Sequence, residues 1–143
     1  MRYWDSSALL PVVVREVTTA AVLNLLGADA DVITWWGSQV EAASALSRLG
    51  REGAITSPAL EAAFTRLVAL AQTWDEVVPS DLVRDQATRL LRVHPLRAAG
   101  ALQLAAALVA AEHRPESLPL VTLDGRLREA ALREGFQVLP YSP

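Results

Sequence analysis

Short apolar runs alternate along the chain with longer stretches in which apolar residues recur every three or four positions. The runs are typical of buried parallel strands and the longer stretches of amphipathic helices. We predict strands at 2–5, 31–36, 120–124 and 136–139, with 74–79 as a weaker candidate. The predicted helices are a short one limited or kinked by Pro11, then 18–26, about 38–53, 57–73, 81–93, 96–112 and 126–133. This alternation predicts an α/β fold with a parallel sheet of four or five strands, covered on both faces.

The composition favours a folded protein with oxygen-rich chemistry. A length of 143 residues predicts a single domain over 1–143, and a content of 52% hydrophobic and 20% charged residues argues against disorder. Cysteine is absent, which excludes disulfides and thiolate metal sites. Any metal would therefore be held by carboxylates or by one of two histidines, which favours Mg²⁺ or Mn²⁺. The net charge of −3 argues against a broad phosphate-binding surface.

The chain carries no pattern that predicts a membrane association. Asp5 stands where the apolar core of a leader peptide would begin. The longest apolar run, 98–111, is interrupted by Gln103 and is too short to span a bilayer. We therefore expect a cytoplasmic protein with no membrane partner.

Three acidic residues follow predicted strands. Asp5 and Asp124 come at strand ends, and Glu41 lies one turn into the helix after the second strand. Each has a local alternative, since Asp5 and Asp124 could cap helices and Ser38 with Glu41 matches a capping box. The carboxyl ends of parallel strands meet at one edge, so we expect the three acids to converge on one pocket. Their mutual repulsion would raise a pKa unless a cation such as Mg²⁺ neutralised them.

Other candidate residues have weaker signals. His94 and His113 are predicted to face solvent. Trp35 and Trp36 close the second predicted strand near the expected pocket. One of them could stack on a nucleic-acid base, but packing in the core or in an interface is the favoured interpretation.

Four stretches in order resemble the PIN-domain ribonucleases, and in particular the VapC-like toxins of type II toxin–antitoxin modules. The opening strand and first acid lie at 3–9, the helix with the second acid at 38–46, the third motif at 96–105 and the fourth at 121–127. The resemblance covers nearly the whole chain. It implies a three-layer α/β/α fold, Mg²⁺- or Mn²⁺-dependent cleavage of RNA, a small antitoxin partner that covers the site, and a homodimer.

The same resemblance implies roles for individual residues. Asp5 and Asp124 would be the principal metal ligands, and Glu41 would bind the metal directly or through water. Thr122 and Ser6 are candidates for orienting these carboxylates. Arg97 could contact phosphate, with an exposed charge at a helix start as the alternative.

One position departs from the family pattern. Gly100 stands where the family has an acid. A Gly in a helix interior costs about 1 kcal/mol relative to Ala, so helix propensity does not favour it, although a close backbone contact could. The departure predicts reduced or lost activity, either in an inactivated variant or in a natural degenerate copy.

Other classes remain in competition with the nuclease. A response-regulator receiver would need a lysine, which the chain lacks, and a haloacid-dehalogenase-like enzyme would need an acid where Ser7 stands. The serious alternative is a non-catalytic PIN-like protein that only binds antitoxin or RNA.

Overall fold

A computed structural model describes residues 1–141 and shows a five-stranded sheet in which all paired strands are parallel. The strands are β1 (Arg2–Trp4), β2 (Val32–Trp35), β3 (Asp75–Val77), β4 (Leu120–Val121) and β5 (Val138–Leu139). Their spatial order is β3-β2-β1-β4-β5. The predicted α/β class is confirmed, and the weak candidate at 74–79 is a genuine edge strand.

Seven α-helices surround this sheet in residues 1–141. They are α1 (Ser6–Val13), α2 (Thr19–Ala28), α3 (Ser38–Arg51), α4 (Ser57–Ala71), α5 (Asp81–Val93), α6 (Ala98–Ala110) and α7 (Gly125–Arg133), with a short 3₁₀ turn at Pro115–Ser117. In this part of the chain, none of the helices has the length and apolar character that crossing a bilayer requires.

Side chains of successive strand residues enter two separate cores, as the pleat of a strand requires. Tyr3 and Leu120 belong to one core, together with buried residues of α5, α6 and α7. Trp4 and Val121 belong to the other, together with buried residues of α1 to α4. The sheet therefore separates two helical layers, which is the expected three-layer α/β/α arrangement.

Most predicted element ends differ from the observed ones by one to three residues, and two of these differences have clear local backbone reasons. The helix predicted at 96–112 ends at Ala110, because Glu112 and His113 adopt left-handed φ values of 52° and 59°. The strand predicted at 120–124 ends at Val121, because Asp124 turns the chain into α7 as its N-cap.

The prediction that His94 faces solvent was also wrong. Its side chain is 3% exposed, and Nε2 lies 2.6 Å from Glu134 Oε2. Glu134 also pairs with Arg89 at 2.7 Å. The end of α5 thus packs against the end of α7, a contact between residues forty positions apart. His113 is exposed, as predicted.

The centre of the sheet has the topology at which open α/β sheets bind ligands. From β1 the chain builds β2 and β3 on one side, and β4 and β5 lie on the other. Ligands of such sheets bind outside the carboxyl ends of the strands, where the strand order reverses. Here the reversal falls between β1 and β4, the strands that lead to Asp5 and Asp124.

Candidate active site

A cavity of about 150 Å³ opens at this reversal point and is lined by all three predicted acids. Its lining also includes Gly100 and the side chains of helices α1, α3, α6 and α7. The full lining is Asp5, Ser6, Ser7, Leu10, Glu41, Ala42, Ala45, Ala99, Gly100, Gln103, Asp124 and Leu127. Residues that lie more than one hundred positions apart in the chain therefore share one small polar space.

Asp5 is the most enclosed of the acids, with 4% of its surface exposed. It is the N-cap of α1, so the capping interpretation is correct, and the same residue also lines the cavity. Its Oδ2 accepts hydrogen bonds from the Ser7 hydroxyl at 2.5 Å and the Thr122 hydroxyl at 2.8 Å, and a long one of 3.4 Å from the Ser7 N–H. Its Oδ1 has only a 3.5 Å contact with the Ser6 hydroxyl.

The environment of Asp5 raises the pKa of its carboxyl above the ordinary value of 3.8. Burial is the largest cause, since it disfavours the charged form, and the nearby Asp124 acts in the same direction. Hydrogen bonds from Ser7 and Thr122 lower the pKa but do not cancel these effects.

Asp124 is both a helix cap and a neighbour of Asp5. Its Oδ1 accepts hydrogen bonds from the backbone N–H groups of Arg126 at 2.9 Å and Leu127 at 3.1 Å, at the start of α7. Its Oδ2 has no hydrogen-bond partner among residues 1–141. The local capping interpretation is therefore correct for one oxygen and leaves the other available to a ligand.

Glu41 does not form the capping box that Ser38 suggested. The N-cap of α3 is Gly37, and the Glu41 carboxylate turns to other partners. The Ser6 hydroxyl donates to Oε1 at 3.2 Å and Gln103 Nε2 donates to Oε2 at 3.0 Å. Burial, and then the Asp5 charge, raise the pKa of Glu41, while the hydrogen bonds from Gln103 and Ser6 lower it, with a net increase.

Two polar residues of the site were missed as functional candidates. Gln103 is 1% exposed and bonds to Glu41, Ser38 and Tyr3. The sequence did offer a signal for Gln103, because this amide interrupts the otherwise apolar run of α6. Ser7, considered only as a cap, donates to Asp5 and accepts from the Leu123 N–H at 2.9 Å.

The remaining predicted residues divide between the site and other surfaces. Thr122 and Ser6 both contact the carboxylates they were expected to orient. Arg97 is an exposed N-cap of α6, three positions before Gly100, and does not line the cavity. Trp35 is buried, whereas Trp36 is 55% exposed and lines a different cavity.

Gly100 stands where a side chain would fit. A Cβ atom built there would meet only Leu96 Cδ2, at 3.6 Å, which is an ordinary van der Waals distance. No close backbone contact therefore explains the Gly, and its place on the cavity lining leaves room for a larger residue.

The donor set fits a hard cation with few protein ligands. Residues 1–141 contain no group of three acidic or histidine side chains arranged to hold one ion. Mg²⁺, however, usually takes one or two carboxylates and keeps several waters. Asp5 Oδ1 and Asp124 Oδ2 each retain the capacity to bind, and both residues line the same cavity.

No protein-family model matches this chain, and no curated protein shows significant similarity to it.

Proposed function

We propose that the chain is a metal-dependent endoribonuclease of the PIN-domain type, a VapC-like toxin neutralised by a cognate antitoxin. The observation that carries this proposal is the cavity at the reversal point of the sheet, which collects Asp5, Glu41 and Asp124 from three separate elements. The order of the four family-like motifs along the chain supports the same assignment.

The three acids would have different roles in binding Mg²⁺ or Mn²⁺. Asp5 and Asp124 would be its principal ligands, and Glu41 would bind directly or through water. A bound cation would supply an activated water for attack on an RNA phosphodiester bond. The hydroxyl of Thr122 fixes Asp5 and receives the Asp124 N–H, and that of Ser6 spans Asp5 and Glu41. Arg97, exposed where α6 begins, would contact phosphate.

The partners follow from the charge of the cavity and from the resemblance. A small antitoxin would present Arg or Lys to this acidic cavity and exclude RNA from it. The toxin would act on cytoplasmic RNA as a homodimer. The base specificity would depend on residues around the rim.

A second candidate function is a non-catalytic PIN-like protein that only binds antitoxin or RNA. Two observations favour it: Gly100 lines the cavity where the family has an acid, and residues 1–141 offer no ready three-ligand metal group. On the first proposal, the same observations predict reduced activity in this chain.

An RNA cleavage assay separates the two functions. Purified protein is incubated with RNA and Mg²⁺ or Mn²⁺, with and without chelator, beside the Asp5→Asn variant as a control for contaminating nucleases. Cleavage that needs metal and Asp5 supports the enzyme. Absence of cleavage by both the wild type and Gly100→Asp, with no Mn²⁺ binding by calorimetry, supports the binding protein instead.

A further inference from the structure

Gln103 is the only strongly polar residue of α6. Every other residue of that helix is Ala, Gly, Leu or Val, and the Gln103 side chain is 1% exposed. A buried amide without partners is costly, so its presence in this helix requires nearly complete hydrogen bonding.

The Gln103 amide has a partner for its oxygen and for both N–H groups. The Tyr3 hydroxyl donates to Oε1 at 2.6 Å. Nε2 donates to Ser38 Oγ at 2.9 Å and to Glu41 Oε2 at 3.0 Å. The three partners come from β1 and α3, so the amide joins the central strand to the helix that carries the second acid.

The neighbouring hydroxyl groups fix which way this amide faces. Thr34 Oγ1 lies 2.6 Å from the Trp4 carbonyl and 2.7 Å from Ser38 Oγ. A hydroxyl has one proton. Because the Thr34 proton is donated to the Trp4 carbonyl, the Ser38 proton is donated to Thr34 Oγ1. Ser38 Oγ is then the acceptor of the hydrogen bond from Gln103 Nε2. A reversed amide would set its oxygen against the Glu41 carboxylate, so the N–H group is the one that meets Glu41.

Glu41 is consequently held at both oxygens by groups that do not themselves carry charge. Ser6 donates to Oε1 and Gln103 to Oε2. Burial and the Asp5 charge favour the neutral form of Glu41, and the Gln103 donor opposes them. The two hydrogen bonds give this carboxylate one orientation.

We infer that Gln103 is a positioning residue that holds Glu41 as an oriented carboxylate for a divalent cation in the cavity. This inference rests on the proposed function, because it assumes that the cavity binds Mg²⁺ or Mn²⁺. On this inference Gln103 itself does not touch the cation. Its whole effect on metal binding passes through Glu41.

The test is a double-mutant cycle read by Mn²⁺ affinity rather than by activity. Mn²⁺ titrations by calorimetry compare wild type, Gln103→Leu, Glu41→Gln and the double variant. Loss of a hydrogen-bonding partner of a metal ligand typically weakens affinity by about 10–100-fold. We expect a loss of that size for Gln103→Leu in the wild-type background and none in the Glu41→Gln background, because the two effects are coupled through one contact.

Tyr3→Phe is the matched control at the far side of the amide. It removes the donor to Gln103 Oε1 and leaves the N–H group on Glu41. We expect Mn²⁺ affinity within about twofold of wild type, the scatter typical of uncoupled changes. If Gln103→Leu fails to fold by circular dichroism, Gln103→Met combined with Tyr3→Phe replaces two buried polar partners together, which is better tolerated.

The outcomes distinguish the inference from the function on which it rests. Wild-type protein that binds no Mn²⁺ at millimolar concentration overturns the proposed metal site and the inference with it. Mn²⁺ binding that is insensitive to Gln103→Leu, or equally weakened in both Glu41 backgrounds or by Tyr3→Phe, overturns the inference and leaves the metal site standing.

Discussion

The Thr122 hydroxyl donates a hydrogen bond of 2.8 Å to Asp5 Oδ2 and accepts one of 3.1 Å from the Asp124 N–H. One hydroxyl group therefore joins the two acids that follow the neighbouring strands β1 and β4. It satisfies a buried carboxylate on one side and fixes the start of the β4–α7 turn on the other.

Replacing Thr122 with Val should lower the free energy of unfolding by about 1–3 kcal/mol at pH 7, the usual cost of leaving a buried polar group unpaired. The shape is kept while Asp5 loses a donor. Urea unfolding measures the effect, and Thr122→Ser, which keeps the hydroxyl, is the control. The cost should shrink as pH falls through the folded pKa of Asp5, because a hydrogen bond to a neutral carboxyl is weaker than one to a carboxylate. A Val variant as stable as the Ser variant at pH 7 would contradict this role.

The raised pKa of Asp5 predicts how stability changes with pH in metal-free protein. Because the folded pKa lies above the ordinary value of 3.8, the unfolded chain releases its proton first. The contribution of Asp5 is therefore fully present below its ordinary pKa and is lost as pH rises through the folded pKa. As pH rises from the ordinary pKa of 3.8 through the folded pKa, wild type should lose stability relative to Asp5→Asn, which cannot titrate.

Chelator and metal provide the control for this pH effect. Millimolar Mg²⁺ or Mn²⁺ should raise the wild-type melting temperature by mass action and leave Asp5→Asn much less affected. Parallel pH profiles for the two proteins, together with no metal-induced shift, would argue against a cluster of repelling carboxylates.

Gly100→Asp should restore or strongly increase metal-dependent cleavage of RNA. The position lines the cavity and has room for a side chain, while Leu104 and Ala107 are fully buried on the same face of α6. Losing even a hydrogen-bonding partner of a metal ligand costs about 10–100-fold, so regaining a ligand should yield at least that. Cleavage rates in Mg²⁺ and Mn²⁺ measure the gain.

Gly100→Ala separates chemistry from helix stability in this experiment. Ala improves helix propensity by about 1 kcal/mol but brings no ligand, so it should stabilise the protein without raising activity. Gly100→Asp should be no more stable than wild type without metal and more stable with it. Equal cleavage by all three proteins at saturating metal, insensitive to chelator, would refute a metal-site role for position 100.

Co-expression with the product of the neighbouring gene should yield a complex. The expected partner carries Arg or Lys that reaches the acidic cavity, because Asp5, Glu41 and Asp124 all line it. Size-exclusion chromatography with light scattering reports the complex and the expected homodimer. Asp124→Asn should weaken the complex, whereas the exposed Glu116→Gln should not. A chain that elutes alone as a monomer would weaken the toxin–antitoxin proposal.

Glu134→Gln should lower the free energy of unfolding by about 1–3 kcal/mol at neutral pH, because it removes the carboxylate that bonds to buried His94 and pairs with Arg89. Burial alone would raise the pKa of Glu134, but hydrogen bonds from Arg89 and His94 lower it overall. Its contribution is therefore present above its ordinary pKa and is lost as pH falls through the folded value.

Glu134 is the C-cap of α7, and its control lies within that helix. Glu129 forms an exposed i,i+4 pair with Arg133, so Glu129→Gln should have almost no effect on stability. Thermal unfolding at pH 7 and pH 4 compares the variants. If both changes are equally mild at pH 7, the link between α5 and α7 is not stabilising.

The sequence by itself determined the fold class, the order of the elements and the positions of the three acids after strands. Strand and helix periodicities depend on neighbouring residues. The strand-to-helix pattern around Asp5 or Asp124 can therefore be recognised without knowing which distant residues pack against it. The same local patterns also predicted the caps that both residues form. The element ends could not be predicted to the residue, because a cap or a left-handed residue shifts a boundary at little energetic cost.

Only the tertiary structure decided which partners the polar side chains take. Glu41 looked like half of a capping box but bonds to Ser6 and Gln103, 35 and 62 positions away. His94 looked exposed but meets Glu134, 40 positions on. A buried polar group takes whichever donor or acceptor the packed layers bring within about 3 Å. Which partner lies within reach depends on how the sheet and both helical layers pack together. That packing cannot be predicted from a local stretch of sequence.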